Sequence, residues 1–232
     1  MNKKNINDNY YKAYEKRYKQ VYKNNSLWSS KEPTPDVVNT ILKENIPINA
    51  KILDLGCGEG RDAIFLLNKN YNVFAIDYSK TVIEKCKELS NYKYNNKFKQ
   101  FDIITDTLEN KFDFIYSVAV IHMFVNDEHR NKFYKFIYDH LTTKGCALII
   151  TMGDGIYEYK SNINTSFNNT SRVIVNSGVS IKVATTSCNI VSWGTFEREL
   201  LDNGLIIKEK WISKEIPEFN SSMCVIVCKN IL

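Results

Sequence analysis

The sequence predicts an α/β fold, a parallel sheet with helices on both faces. Three observations lead there. Between residues 51 and 152, short apolar runs alternate with amphipathic stretches of helical period, the rhythm of strands joined by crossover helices. The first run passes through three glycines into a helical stretch, "KILDLGCGEGRDAIFL" (51–66), and ligands bind at such strand-to-helix turns in open α/β sheets. A chain of 232 residues is long enough to bury one core of this kind, so a single domain is expected over 1–232.

Taken in order, residues 8–23 read as a helix. Tyr10, Tyr14, Tyr18 and Tyr22 recur every four residues and would share one stripe. That stripe either packs on the body or puts one or two hydroxyls, Tyr14 among them, into a ligand cavity. A loop follows. Thr34 is placed to cap a helix, with Pro35 in its first turn and Asp36 at the positive end of its dipole. Val37, Val38, Ile41 and Leu42 would form its buried face. Residues 1–50 thus make an N-terminal helical cap. Strands are expected at Lys51–Leu55, Asn72–Asp77, a short run ending at Phe101, Phe112–Val118 and Cys146–Met152, with helices between them. The rhythm breaks over 153–190, a polar insertion after the fifth strand. Within it Asn176-Ser177-Gly178 reads as a hairpin turn. A helix at Trp193–Asp202, ended by Gly204, precedes two closing strands, Leu205–Ile212 and Met223–Cys228.

Composition narrows the setting. No stretch approaches the roughly 18 apolar residues of a membrane span, and the N-terminus lacks the apolar run of a signal peptide, so a cytoplasmic protein with no membrane partner is expected. Six cysteines do not suggest a disulfide framework. Cys224 and Cys228 alternate with Ile226 on one strand face and read as core, and no metal site is expected. Net charge is +5, but residues 1–23 hold seven basic and two acidic side chains. The remainder carries 24 of each sign, without the basic stripe of a nucleic-acid enzyme.

The glycine spacing is Gly56-Cys57-Gly58-Glu59-Gly60, with Arg61 where a dinucleotide loop wants its third glycine. No Gly-Lys-Ser/Thr follows, so this is not a P-loop. Asp54 and Glu59 bracket the turn and would repel a pyrophosphate. An ammonium beside Asp54 fits instead. Asp77 closes the second strand 21 residues after Gly56, where an acid commonly takes ribose hydroxyls. A nucleoside bearing an amino acid satisfies both, and S-adenosylmethionine is such a molecule.

With "ILDLGCGEGR", "VFAIDYS", "FDIITD", "KFDFIYSVAVIHMF" and "LTTKGCALIITMGDG" in this order, the sequence resembles the class I S-adenosylmethionine-dependent methyltransferases. The "GCGEGRDAIFL" wording and the upstream Trp…Pro segment are most similar to the small-molecule branch that holds the tellurite-resistance and thiopurine methyltransferases. The resemblance implies a seven-stranded, mostly parallel Rossmann-like sheet with an antiparallel last strand, and a lid at 153–190. It implies that Gly56, Gly58 and Gly60 pass under the cofactor. Asp54 would lie near the amino group, and Arg61 would be free to pair with the carboxylate. Asp77, with neighbouring Tyr78, would hold the ribose. Asp102 and Ile103 would meet the adenine, Ser117 would border the methionine part, and Trp28 and Tyr18 would roof the site. The expected product of turnover is S-adenosylhomocysteine.

Methyl transfer from a sulfonium asks the protein mainly to align the partners and exclude water. The four prolines all lie away from the fourth strand, so the Asn/Asp-Pro-Pro-Tyr segment of amide-nitrogen methyltransferases is missing, and no Pro-Cys pair or acidic metal cluster is present. A small-molecule acceptor methylated at S, N or O is expected, with nucleic acid disfavoured, on a monomer or dimer. Catalytic candidates are His122 in "VIHMF" and Asp154 in "MGDGIYEY"; acceptor-side candidates are Tyr14, His122, Tyr157, Glu158 and Cys188. Two alternatives stay open: a protein or tRNA target gripped by the basic first helix, and a cofactor-binding subunit that does not turn over.

Overall fold

The computed structural model describes residues 9–174 and 178–230. A 3-10 turn at Tyr10–Lys12 leads into α1 (Ala13–Lys23), and α2 (Pro35–Lys43) follows the first long loop. Then come β1 (Lys51–Leu55), α3 (Arg61–Asn68), β2 (Asn72–Asp77), α4 (Lys80–Leu89), β3 (Phe98–Gln100), β4 (Phe112–Val118), α5 (Asp127–His140) and β5 (Leu141–Met152). The insertion contributes β6 (Tyr159–Lys160), β7 (Asn169–Val173), β8 (Ser180–Ala184) and β9 (Asn189–Ile190). The chain closes with α6 (Trp193–Asp202), β10 (Leu205–Ser213) and β11 (Ser222–Lys229).

Seven strands form one sheet in the order β10-β11-β5-β4-β1-β2-β3. β11 runs antiparallel to both neighbours, while the pairings from β5 to β3 are parallel. Alternation along the strands sorts the core onto two faces. Ile52, Phe114, Leu148, Ile150 and Ile226 pack beneath α2, α3 and α4. Leu53, Ile115, Ala147, Ile149 and Val225 pack beneath α5 and α6. Cys224 lies in the α2–α4 core with Ile226 as expected, whereas Cys228 is only half-buried.

Local chemistry departs from expectation in places. β5 begins at Leu141, directly after α5, five residues before the expected start. Thr34 precedes α2, but its hydroxyl donates to Asp62 Oδ2 at 2.9 Å and leaves the helix end uncapped. Asp36 accepts from Trp211 Nε1 (3.0 Å) and Ser213 Oγ (2.5 Å), tying α2 to β10. The buried stripe of α2 is Asp36, Val37, Thr40 and Ile41; Leu42, one residue further round, is 66% exposed. Ser79 and Ser192 do cap their helices, accepting from Val82 N and Thr195 N.

The insertion makes two small antiparallel pairs, β6 with β9 and β7 with β8. The β7–β8 pair is the expected hairpin; Asn176 and Ser177 of its turn lie outside the described residues, as does the Asp8 start of the first helix. β8 grips α1: Ala184 N donates to Gln20 Oε1 at 2.7 Å, and Arg17 donates to Ala184 O. On its other side α1 is pinned to α4, where Ser79 Oγ and Thr81 Oγ1 donate to Glu15 at 2.5 and 2.6 Å. Among the described residues no helix is long and apolar enough to cross a membrane.

Candidate cofactor and acceptor site

A cavity of about 170 Å3 opens at the C-terminal ends of β1, β2 and β4, where the sheet order reverses and crevices form. Its floor is the glycine turn. Gly56 N and Cys57 N both donate to Ile76 O at 2.9 Å, fastening the turn to β2. Gly56 has φ +79, and a Cβ there would stand 2.3 Å from Val120 Cγ2. At Gly58, with φ +52, a Cβ would meet only Tyr18 Oη, at 3.4 Å, so its backbone is open to a ligand. Gly60 is used differently: its missing side chain makes room for Cys86 Sγ and Phe98, and it does not line the cavity.

Three acids reach this floor. Asp54 is buried and accepts one side-chain hydrogen bond, from Tyr116 Oη at 3.0 Å. Burial pushes its pKa well up, and the nearby Asp62 adds to the rise. A carboxylate so placed gains from a cationic ligand. Asp77 accepts from Gly58 N (3.0 Å) and Ser79 N (2.8 Å), bonds that offset part of the burial that raises its pKa to about 6. Asp102 accepts from Ile104 N at 3.0 Å and from Tyr11 Oη at 2.8 Å. Glu59, in contrast, is turned away into a structural role: its carboxylate accepts from Trp28 N, Ser29 N and Ser29 Oγ, each at 2.8 Å, and so holds the 28–29 loop over the site. The charge that should repel a phosphate from the turn is therefore Asp54 more than Glu59.

The roof is α1 with its preceding turn. Tyr11, Tyr14, Arg17, Tyr18 and Trp28 face the cavity. The four-residue stripe is broken by the 3-10 turn. Tyr10 leaves it and becomes a core residue, its hydroxyl accepting from Val125 N and Asn126 N and pairing with His129 Nδ1 at 3.0 Å. Tyr11 takes the cavity position instead. Arg17 is buried, stacks over Trp28 (4.7 Å) and Tyr14 (5.2 Å), and donates to the carbonyls of Ala184 (3.1 and 2.9 Å) and Thr185 (2.6 Å). Burial pulls its pKa down, and Arg172 adds to that; no carboxylate is among the groups acting most strongly on it.

The remaining walls are Val118–Val120, Met123 and Phe124 after β4, and Ile216, Glu218 and Phe219 from the loop between β10 and β11. The structure thus gathers Tyr14, Tyr18, Trp28, Asp54, Gly56, Gly58, Arg61, Asp77, Tyr78, Asp102 and Ile103 around one cavity. Other expected site residues lie elsewhere. Ser117 is buried and donates to Leu55 O at 2.8 Å, holding β4 to β1. His122 sits behind the wall, its ring edge-on to Phe219 at 5.5 Å. Burial lowers its pKa to about 3, and its Nδ1 has no hydrogen-bond partner. Asp154 is on the surface, accepting from Ile156 N and Tyr157 N at 2.9 and 2.8 Å, which lowers its pKa. Tyr157 is exposed, and Glu158 accepts from Ser192 Oγ at 2.5 Å at the start of α6. Cys188 lies in the insertion, off the cavity wall. The insertion acts on the site indirectly, by bracing α1: Tyr14 Oη donates to Ser187 O at 3.2 Å, and Ser187 Oγ to Met123 O at 2.6 Å.

Three functional residues were missed by sequence reasoning. Arg17 was counted only among the seven basic side chains of residues 1–23. Tyr11 sits one place off the Tyr10–Tyr14 period, and Glu218 lies in a loop whose only signal is the "EIPEF" punctuation around Pro217.

The chain is similar in sequence and fold to known proteins. Residues 52–145 match the family described as "Methyltransferase domain". The "Probable S-adenosyl-L-methionine-dependent methyltransferase TehB" of Haemophilus influenzae is 32% identical over 103 residues, covering 43% of this chain and 35% of that protein. Thiocyanate methyltransferase 1 of Brassica oleracea is 26% identical over 145 residues, 60% of this chain and 63% of its own length. The chain thus spans about a third of the first relative and under two thirds of the second. The crystal structure of an S-adenosylmethionine-dependent methyltransferase from Clostridium acetobutylicum superposes with a TM-score of 0.66 at 16% identity, over 91% of this chain and 96% of that one. Segment match and fold agree: residues 52–145 are similar to a methyltransferase domain, on a fold shared with an S-adenosylmethionine-dependent methyltransferase.

Proposed function

We propose that this protein transfers the methyl group of S-adenosylmethionine to a small, soft, anionic acceptor. The carrying observation is the charge layout of one cavity. Its floor presents Asp54 and Asp77, acids whose pKa burial has raised, and a cationic nucleoside with ribose hydroxyls relieves both. Its roof presents Arg17, a buried cation held by carbonyls and by the rings of Trp28 and Tyr14, and an anionic acceptor relieves that.

S-adenosylmethionine, when bound, supplies a methyl group on positively charged sulfur. Asp77 would take the ribose hydroxyls, with its remaining lone pairs oriented by Gly58 N and Ser79 N. Asp54 would hold the amino group and Arg61 the carboxylate. Tyr11, Tyr18 and Trp28 would exclude water from above, so that Arg17 acts at low dielectric, where its attraction for an anion is strongest. An acceptor that arrives ionised leaves no proton to remove. This suits a cavity that no histidine lines: His122 lies behind the wall, and His129 behind Tyr11 and Phe124. Thiocyanate, in the name of one relative, is an acceptor of this class.

The polyanion alternative is less well supported. Arg17 of the basic helix is buried, Lys19 pairs with Glu15 at 3.0 Å, and Lys16 donates to Phe167 O at 2.7 Å. Release of S-adenosylhomocysteine should be followed with thiolates, thiocyanate and iodide against amines and phenols. Turnover with the soft anions is expected. Arg17→Met should lower kcat/KM for them by about 10- to 150-fold, the loss of a charged hydrogen bond worth roughly 1.5–3 kcal/mol, with cofactor affinity held. Turnover of neutral amines alone, or an Arg17 variant with unchanged kcat/KM, would reject the anionic acceptor.

A further inference from the structure

The loop between β10 and β11 carries a buried carboxylate to which no described residue donates a hydrogen bond. Both Glu218 oxygens are buried and without a hydrogen bond. The nearest cation is Arg61, whose Nη1 is 3.9 Å from Oε1, too far for a hydrogen bond. Arg61 itself is only loosely committed: Nη1 donates to Ser30 Oγ at 3.1 Å, and Nε is 3.8 Å from Asp62 Oδ2. A buried carboxylate without donors is costly, and natural structures keep one where something arrives to pair with it.

The placement of the loop is not accidental slack. Ser213 Oγ, anchored on Asp36, accepts from Glu215 N at 3.2 Å. Phe219 N donates to Ile216 O at 3.0 Å, closing a turn around Pro217 and Glu218. Phe219 then packs against His122. Ile216 and Phe219 present apolar walls to the cavity, and Glu218 presents the acid between them. Across that same cavity stands Asp54, with a single donor of its own, Tyr116.

We infer that Glu218 is a second acid for the amino group of the cofactor, forming with Asp54 and Arg61 a clamp for an α-amino acid zwitterion. This rests on the S-adenosylmethionine reading above. An ammonium offers three N–H donors, enough to serve both carboxylates and a backbone carbonyl. The carboxylate of the same amino acid gives the guanidinium of Arg61 the bidentate partner that neither Asp62 nor Glu218 now provides. The clamp would make the β10–β11 loop a reader of the amino acid end, separate from the readers of ribose and adenine at Asp77 and Asp102.

Calorimetry on wild type and Glu218→Gln with two ligands tests this. S-adenosylhomocysteine carries the amino acid end; 5′-methylthioadenosine lacks it. The variant should bind S-adenosylhomocysteine at least tenfold more weakly and methylthioadenosine within twofold of wild type. Its unliganded form should unfold no earlier than wild type, since the substitution removes a buried carboxylate that accepts no hydrogen bond from the described residues. An unchanged Kd for S-adenosylhomocysteine would overturn the clamp, as would equal losses for both ligands or a fall in turnover alone, which would put Glu218 on the acceptor side. Wild type that fails to bind S-adenosylhomocysteine at all would overturn the underlying methyltransferase reading and the clamp with it.

Discussion

Asp77 allows the sharpest test of how the floor of the cavity recognises its ligand. Its carboxylate is fixed by Gly58 N at 3.0 Å and Ser79 N at 2.8 Å, which leaves acceptor capacity directed at the cavity. Asp77→Ala strands ribose hydroxyls in a buried setting, a loss of about 1–3 kcal/mol, or roughly 5- to 150-fold in Kd. A second signature comes from pH. The carboxyl titrates near 6 in the free protein against an ordinary 3.8. Hydroxyl donors favour its ionised form, so a ligand that needs it ionised should bind about tenfold more weakly at pH 5 than at pH 7. In Asp77→Asn that difference should shrink. The same shift acts against the free fold. The unfolded chain gives up this proton first, so the carboxyl's contribution to stability is lost as pH rises from about 4 to 6, by roughly 3 kcal/mol. Calorimetric titration with S-adenosylhomocysteine at both pH values, alongside thermal unfolding, reads all three effects. A natively folded Asp77→Ala that binds within twofold of wild type would refute the ribose assignment.

Three further predictions concern the glycine floor and His122 behind the wall. Gly56→Ala forces a Cβ to 2.3 Å from Val120 at φ +79, whereas Gly58→Ala meets only Tyr18 Oη at 3.4 Å. Chemical unfolding should therefore show a clearly larger loss for the first, by more than about 1 kcal/mol, and equal losses would contradict the packing. His122, held neutral by burial with a pKa near 3, should set no limb of the rate profile between pH 5 and 9, and the profile of His122→Asn should superimpose on that of wild type. Because the unfolded chain protonates this imidazole near 6.5, wild type should also lose about 2 kcal/mol between pH 7 and 5 that His122→Leu retains; urea unfolding at the two values decides it.

Much of this architecture was legible in the sequence. Short apolar runs such as those around Ile52–Leu53 and Phe114–Ile115, spaced by helical stretches, located the strands of the sheet, although β5 starts five residues before its expected bound. The glycine turn, Asp54 and Asp77 were legible because a tight approach and a strand-end acid leave fixed spacings. What failed did so for tertiary reasons. Helical period assumes one geometry, and the 3-10 turn at Tyr10–Lys12 moved Tyr11 into the cavity and Tyr10 into the core. Glu59 looked like a wall charge, but the amides of Trp28 and Ser29 claimed it. Asp154, Tyr157 and Glu158 follow a sheet edge that commonly bears ligands, yet two glycines at positive φ and helix α6 carry them outward. Glu218 had only the turn signal of Pro217 beside it, since the docking of a distant hairpin loop against α3 and the β4 exit is what makes it part of the site.

The central claim is that the acid-lined glycine turn receives a cationic adenosyl amino acid in preference to a phosphate. Direct calorimetric titration of the intact protein with S-adenosylmethionine, S-adenosylhomocysteine, NAD and ATP tests it. One-to-one binding of both sulfur nucleosides, with no measurable heat from NAD or ATP, is the predicted result. Tight binding of either phosphate ligand beside silence from the other two would contradict it.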